Sequence, residues 1–312
     1  QLILLDALSS FDSAIEYDRE SGLAWLGRSR TLRYQGSLNE AEIALVRARR
    51  LIPEHPSIPL EEAQLSMDLG KLDQANVMIS EASTQLQNNI TIPFLKGLIA
   101  AKKGNLSEAQ DLFTRTLEMD ENHVRARLNR CSAALLREEL GLALDDANFL
   151  VENRPDLNLA RLRRSEILMN LGDWIEADIE LRRLLTKSPE YTMALVHLGT
   201  CMNAMGRAEQ AEKPLNKAIQ IDPTLSDAWY QRGLLYLDFG RLDESFSDFE
   251  SAAKCNPRHL DARLRIAAIL HDGDSPEAAI SAWREVLNID PENRLARRRL
   301  EESRGKTTRQ KI

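Results

Sequence analysis

Five histidines and three cysteines are the chain's candidates for metal or nucleophilic chemistry. His55, His123 and His259 are separated by multiples of 34 residues, each just after a helical stretch, and read as surface turn residues. His197 and His271 fall on apolar helical faces without a second ligand at i+4, so a zinc-type pair is not formed. Cys131, Cys201 and Cys255 are far apart and lack C-x-x-C spacing. Cys131 reads as a small buried hydrophobe. Gly305-Lys306-Thr307 lacks the upstream glycine and the strand that a phosphate-binding loop requires. No catalytic residue, no metal and no cofactor is therefore expected. Asn89-Ile90-Thr91 and Asn105-Leu106-Ser107 match the glycosylation sequon at turn positions.

Composition narrows the class. Apolar residues make up 43% and charged residues 29%, which suits a folded chain rather than a disordered one. No apolar run reaches the length of a membrane span. The formal net charge is -7. Residues 294–312 hold eight Lys and Arg against two acids, so a +6 tail follows a body of -13. That body opposes long-range attraction to polyanions, and nucleic acid is not an expected partner.

What positions these residues is a repeat. Steps of 34 from Ala7 reach Ala41, Ala75, Ala109, Ala143, Ala177, Ala211, Ser245 and Ala279. A second column is small throughout: Ser29, Ala63, Gly97, Cys131, Ser165, Gly199, Gly233 and Ala267. Pro53, Pro155, Pro189, Pro223, Pro257 and Pro291 share a third, with Gln87 and Glu121 as exceptions. Each unit reads as two helices. In 226–259, Ala228, Trp229, Arg232, Gly233 and Tyr236 recur at helical spacing, and Gly240 ends that helix. Asp243 and Glu244 open the next, Phe246, Phe249, Ala252 and Ala253 form its apolar stripe, and Pro257 stops it. Small columns let paired helices approach to about 8–10 Å. A lone unit cannot bury its stripe, so neighbours must stack.

The pattern resembles the tetratricopeptide repeat family, whose signature is met best by Trp229, Gly233, Tyr236, Phe249, Ala252 and Pro257. Arg232 and Ser245 stand where that family usually has Leu and Ala. The resemblance implies an all-α, right-handed superhelical solenoid of stacked antiparallel helix pairs. The expected organisation is a second helix of a truncated repeat (1–21) and eight units (22–55, 56–89, 90–123, 124–157, 158–191, 192–225, 226–259, 260–293). A capping helix (294–304) and a basic tail (305–312) follow. The mid-unit start is read as a fragment of a longer protein. The resemblance further implies a non-catalytic interaction scaffold, located in the cytoplasm, that holds a protein or peptide along the inner face of the first helices. The secretory lumen is the alternative location, suggested by the two sequons. No small-molecule substrate is expected.

By column, the partner-binding groove is assigned to Phe94, Leu98, Arg125, Asn129, Arg163, Glu166, His197, Thr200, Tyr230 and Gln231. The carboxylate clamp of related co-chaperones is not met, because Phe94, Leu98 and Leu159 replace its Lys and Asn positions. The asparagine ladder of the O-linked N-acetylglucosamine transferase arm is not met either, with Asn129 the one Asn in its column. The alternative function is a recruiting arm of a multidomain enzyme or co-chaperone.

Three local expectations complete the reading. Arg130/Asp146, Arg164/Glu180 and Arg232/Asp248 are spaced to pair across the two helices of a unit. Pro59 and Pro93 predict helix starts at 59 and 93, capped by Ser57 and Thr91. Pro214 predicts a bend or a 3₁₀ start in its helix.

Overall fold

The computed structural model describes all residues except 1, 87, 274, 275, 311 and 312, and no side chain at 85 or from 304 to 310. Every regular element among the described residues is a helix, and the chain divides into two compact units, residues 1–153 and 154–312. The first unit holds α1 (Leu2–Tyr17), α2 (Gly22–Gln35), α3 (Leu38–Leu51), α4 (Ser57–Asp68) and α5 (Leu72–Gln85). It continues with α6 (Thr91–Lys102), α7 (Leu106–Met119), α8 (Val124–Leu136) and α9 (Leu140–Asn153). The second holds α10 (Asn158–Leu171), α11 (Trp174–Lys187), α12 (Thr192–Ala204), α13 (Ala208–Ile221) and α14 (Ser226–Asp238). α15 (Leu242–Cys255), α16 (Leu260–Asp272), α17 (Pro276–Ile289) and α18 (Arg294–Gln310) complete it. In each unit consecutive helices pack in sequence order, as a helical repeat solenoid does.

The small columns meet where the two helices of a pair approach. Ser29 Oγ donates to the Ala41 carbonyl at 2.8 Å, and Ser245 Oγ donates to that of Gly233 at 2.8 Å. Gly97 is small for a steric reason: a Cβ there would lie 2.7 Å from the Phe113 ring. The first helix then ends on a left-handed residue, from Gly36 to Gly240, with Glu138 at φ 60° in the one described non-glycine instance. The following N–H reaches back to the carbonyl five residues earlier, as in Glu139 to Ala134 at 2.9 Å and Arg241 to Tyr236 at 2.8 Å.

Second helices stop two residues before the proline column, at Leu51, Asn153, Lys187, Ile221, Cys255 and Ile289. The same register holds at Met119, where Glu121 replaces proline. There Asp120 Oδ1 accepts the Asn122 N–H at 3.0 Å and closes the turn. The other exception, Gln87, lies outside the described residues.

Two expectations are corrected. α4 and α6 begin at Ser57 and Thr91, not at 59 and 93, and neither residue caps its helix. Pro59 and Pro93 occupy the third helical position, where the missing N–H removes no intrahelical bond. The first N–H groups are taken instead by His55 Nδ1 at 3.3 Å and Asn89 Oδ1 at 2.9 Å. α18 also runs to Gln310 rather than ending at 304, and the side chains of the basic tail lie outside the described residues. Ala296, Leu300 and Ser303 are the buried side of that helix. Pro214 sits inside α13, whose first turn carries an i to i−3 bond from Gln210 N–H to Arg207 O at 3.0 Å.

All three arginine–acid pairs form. Arg130 meets Asp146 at 2.7 Å, Arg164 meets Glu180 at 3.0 Å and Arg232 meets Asp248 at 2.7 Å. The column also reaches the second helix before it: Arg28 to Asp12 at 2.7 Å, Arg130 to Thr114 at 3.1 Å and Arg232 to Asn216 at 2.7 Å. Each of these arginines lies sixteen residues from its partner, so one guanidinium can tie a first helix to both flanking second helices.

Candidate functional site: the first-helix face

In the first unit, α2 and α4 set the electrostatics. Glu61 is fully buried and holds Arg33 at 2.6 Å and Arg30 at 3.0 Å. Arg33 continues to Asp68 at 3.0 Å and to Gln64 at 2.9 Å; against the desolvation that works to lower it, Glu61 first and then Asp68 hold its pKa up. A charge taken from water persists only with such partners.

Beside this cluster lies a cavity of about 230 Å³, walled by Arg33, Gln64, Met67 and Asp68, by Thr91, Phe94, Leu95 and Leu98, and by His123 and Arg125. It thus gathers three of the residues assigned from sequence, Phe94, Leu98 and Arg125. The Phe94 ring lies 4.8 Å from His123 and 6.1 Å from Phe113, and the Arg125 guanidinium sits 5.0 Å over it. Asn129 is not part of this wall; its amide donates to the Arg125 carbonyl at 2.7 Å, within its own helix.

His123 was read as a surface turn residue, and that reading is corrected. It is half-buried, and its Nδ1 accepts the Ala126 N–H at 3.0 Å as the N-cap of α8. Nδ1 being an acceptor, the neutral ring carries its proton on Nε2. His259 repeats the arrangement on α16, with Nδ1 accepting from Ala262 at 3.3 Å and Tyr230 at 4.9 Å between centroids. The signal in sequence was the paired recurrence of an aromatic and a histidine four units apart, Phe94/His123 and Tyr230/His259.

In the second unit the assigned residues form a chain of contacts. Arg163 pairs with Glu166 at 2.6 Å, and Glu166 lies 3.7 Å from His197 Nε2. Burial holds His197 below the usual histidine range, with Glu166 and Asp227 pulling the other way, and its Nδ1 is buried without a hydrogen-bond partner. Asp227, missed by the column reading, faces His259 at 3.5 Å, and that contact lowers its pKa. Thr200 Oγ1 donates its proton to its own helix at the Val196 carbonyl, which leaves the oxygen as an acceptor. Tyr230 packs on Phe249 at 5.7 Å, and Gln231 is half-buried beside it in sequence.

Among the described residues no group of three His, Cys, Asp or Glu could hold a metal ion. Ser303, His271 and Glu302 come together, with Ser303 Oγ 2.9 Å from Nδ1 and Glu302 3.5 Å from Nε2. Yet Ser303 is buried and donates its proton to the Arg299 carbonyl, which is a helix-docking arrangement rather than a nucleophile with its base. Burial pushes the Cys201 thiol up to about 11, away from nucleophilic use. Among the described residues no helix is long and apolar enough to cross a membrane.

Comparison with known proteins agrees with this architecture. Tetratricopeptide repeat family profiles match residues 94–158, 193–224 and 215–246. A TPR repeat-containing protein of Rhizobium etli is 33% identical over 82 residues, covering 26% of this chain and 40% of that protein. The protein O-mannosyl-transferase TMTC3 of Homo sapiens is 24% identical over 140 residues, 45% of this chain and 15% of the transferase. The human DnaJ homolog subfamily C member 3 is 32% identical over 90 residues, 29% of this chain and 18% of that protein. The chain thus spans less than half the length of each of these relatives. A tetratricopeptide repeat protein from Parabacteroides merdae superposes with a TM-score of 0.65 at 18% identity, over 80% of this chain and 99% of that one. The APC/C hetero-tetramer Cut9-Hcn1 gives 0.65 at 16% identity, over 93% of this chain and 57% of that one. With its recurrent helix pairs, its matching profiles and these structural neighbours, the chain is a tetratricopeptide repeat protein, a kind of repeat that generally mediates protein–protein interaction.

Proposed function

We propose that this chain is a non-catalytic scaffold that holds a protein or peptide partner on its first-helix face. The observation that carries the reading is the cavity at Phe94, Leu98 and Arg125. Side chains from several successive first helices converge there on one recess of mixed lining, with apolar Met67, Phe94, Leu95 and Leu98 beside charged Arg33, Asp68 and Arg125. A repeat array turns such recesses into an extended contact surface. In the second unit Glu166, His197, Tyr230 and Gln231 are the residues assigned to that unit's own first-helix face, with Arg163 held by Glu166.

The test is affinity capture with the full chain and with Leu98→Ala and Arg125→Glu baits, read by quantitative mass spectrometry. Partners that fall together on both variants support the reading. A partner set unchanged on both counts against this face as the recognition surface.

A second reading is that the array recruits substrates or chaperones for a larger enzyme or co-chaperone. It is favoured by relatives such as the O-mannosyl-transferase and the DnaJ homolog, of which the chain covers 15% and 18%. The location proposed with the first reading is the cytoplasm, with the secretory lumen as the alternative that the sequons at Asn89 and Asn105 suggest.

A further inference from the structure

The cavity of the first unit has a chemistry of its own. Its floor is apolar: Phe94, Leu95, Leu98 and Met67. The cations near it are mostly spent. Arg30 and Arg33 are held by Glu61, and Arg127 and Arg130 by Asp146. Of the two arginines in the wall itself, Arg33 and Arg125, Arg125 is the exception. It is exposed, stands over the Phe94 ring, and makes no ion pair among the described residues. Asp68, the acid in the same wall, is already bound to Arg33. A guanidinium fixed against an aromatic face keeps its edge donors free for a planar anion.

The chain supplies an internal comparison. Four units later Tyr230 and His259 rebuild the aromatic–imidazole slot, with centroids 4.9 Å apart against 4.8 Å for Phe94 and His123. In the position of Arg125 that slot has Asp261, and Asp227 faces its histidine. The aromatic–imidazole pair is thus common to both, while the charge at its mouth is reversed and the floor residues Met67 and Leu95 give way to Asn203 and Gln231.

We infer that the Phe94–His123–Arg125 recess selects a peptide segment in which an apolar side chain stands next to a carboxylate. The apolar group fills the floor and the carboxylate pairs with Arg125. The volume, about 230 Å³, suits a single side chain rather than a folded surface. A free charge at the rim selects partners by sign more than it adds raw affinity. This inference rests on the first-helix face being the recognition surface.

The experiment is selection of a phage-displayed random heptapeptide library on the full chain, followed by fluorescence anisotropy with the synthetic winners. The expected consensus is Asp or Glu beside a large apolar residue. Arg125→Ala should weaken these peptides about 5- to 10-fold, and Arg125→Asp, which copies the charge of the second slot, by more than about tenfold. Rising salt should weaken binding to the parent chain and not to Arg125→Ala. Comparing acid-to-amide peptides with C-terminally amidated ones separates a side-chain carboxylate from a terminal one. Winners without an acid that still lose affinity on Leu98→Ala would leave the face intact and overturn the carboxylate. Winners indifferent to both Leu98→Ala and Arg125→Asp, or a selection without winners, would overturn the recess as a peptide site.

Discussion

Removing the Asp146 carboxylate is the sharpest test of how the repeat is held together. Asp146 is 1% exposed and accepts three charge-assisted hydrogen bonds: two from Arg130, at 2.8 and 2.7 Å, and one from Arg127 at 3.0 Å. The Arg130 pKa is raised, first by this hydrogen bond, against its own desolvation. Bonds of this kind contribute about 1.5–3 kcal/mol each before desolvation is subtracted. Asp146→Ala leaves two largely buried guanidiniums without their counter-ion, and breaking such a cluster costs about 3–5 kcal/mol. Asp12→Ala is the matched control. It removes the same sixteen-residue contact to Arg28, but Asp12 is half exposed, so the loss should be about 0.2–1 kcal/mol. Urea denaturation of the full chain followed by circular dichroism gives the global change. Hydrogen exchange then locates it, with the loss of protection expected in α8 and α9, because a repeat array responds locally. If Asp146→Ala costs no more than Asp12→Ala, the buried carboxylate is not what locks the pair. A triple exchange of Arg127, Arg130 and Asp146 to apolar residues of similar volume should recover most of the loss, since an apolar cluster needs no counter-ion.

Other outcomes follow from single positions. Gly97→Ala should destabilise by about 1–3 kcal/mol in thermal melts, because its methyl overlaps the buried Phe113 ring. Glu138→Gly should stabilise by about 1 kcal/mol, since Glu138 occupies the left-handed conformation that glycine fills in the equivalent turns. His197→Gln should flatten the dependence of stability on pH. The folded-state pKa of His197 is lowered by burial, so the unfolded chain binds more protons as pH falls below about 6.5. The stability tied to the neutral ring is therefore complete above that pH and lost below it. Arg163, Glu166 and Asp227 face the ring and are kept in the variant, so urea midpoints at pH 5 and 7.5 should converge on substitution.

The helix pairs were legible because they rest on residue size. A small residue every 34 positions can serve one purpose, close approach, and Ser29 on Ala41 and Gly97 on Phe113 display it. The arginine–acid pairs were legible because sixteen residues is the span of one helix pair. Helix starts were less so. Ser57 and Thr91 have the composition of caps, yet the backbone N–H groups are met from two residues upstream by His55 and Asn89. That choice depends on turn geometry, which composition does not carry. The histidines were misjudged for the same reason: a residue in a turn column reads as solvated, while its Nδ1 is a helix cap and its ring a cavity wall. On the first-helix face, column position found Phe94, Leu98 and Arg125. It could not tell that Asn129 and Thr200 each donate a hydrogen bond within their own helices.

The distribution of charge partners separates stability from recognition. Glu61, Asp146, Glu180 and Asp248 are buried and each draws in at least one arginine, and three of them draw in two or more. Substituting any of these arginines damages packing first, so a loss of binding in such a variant says little about contact with a partner. Arg125 differs because it makes no ion pair among the described residues: its carbonyl is used by Asn129, and its guanidinium rests on Phe94 in solvent, a contact of about 0.5–1 kcal/mol. Charge reversal there should change stability by no more than about 1 kcal/mol, the size of the exposed cation–π contact, while changing which peptides bind. A binding change accompanied by a large loss of stability would place Arg125 among the packing arginines instead, and would remove it as the selective cation of this face.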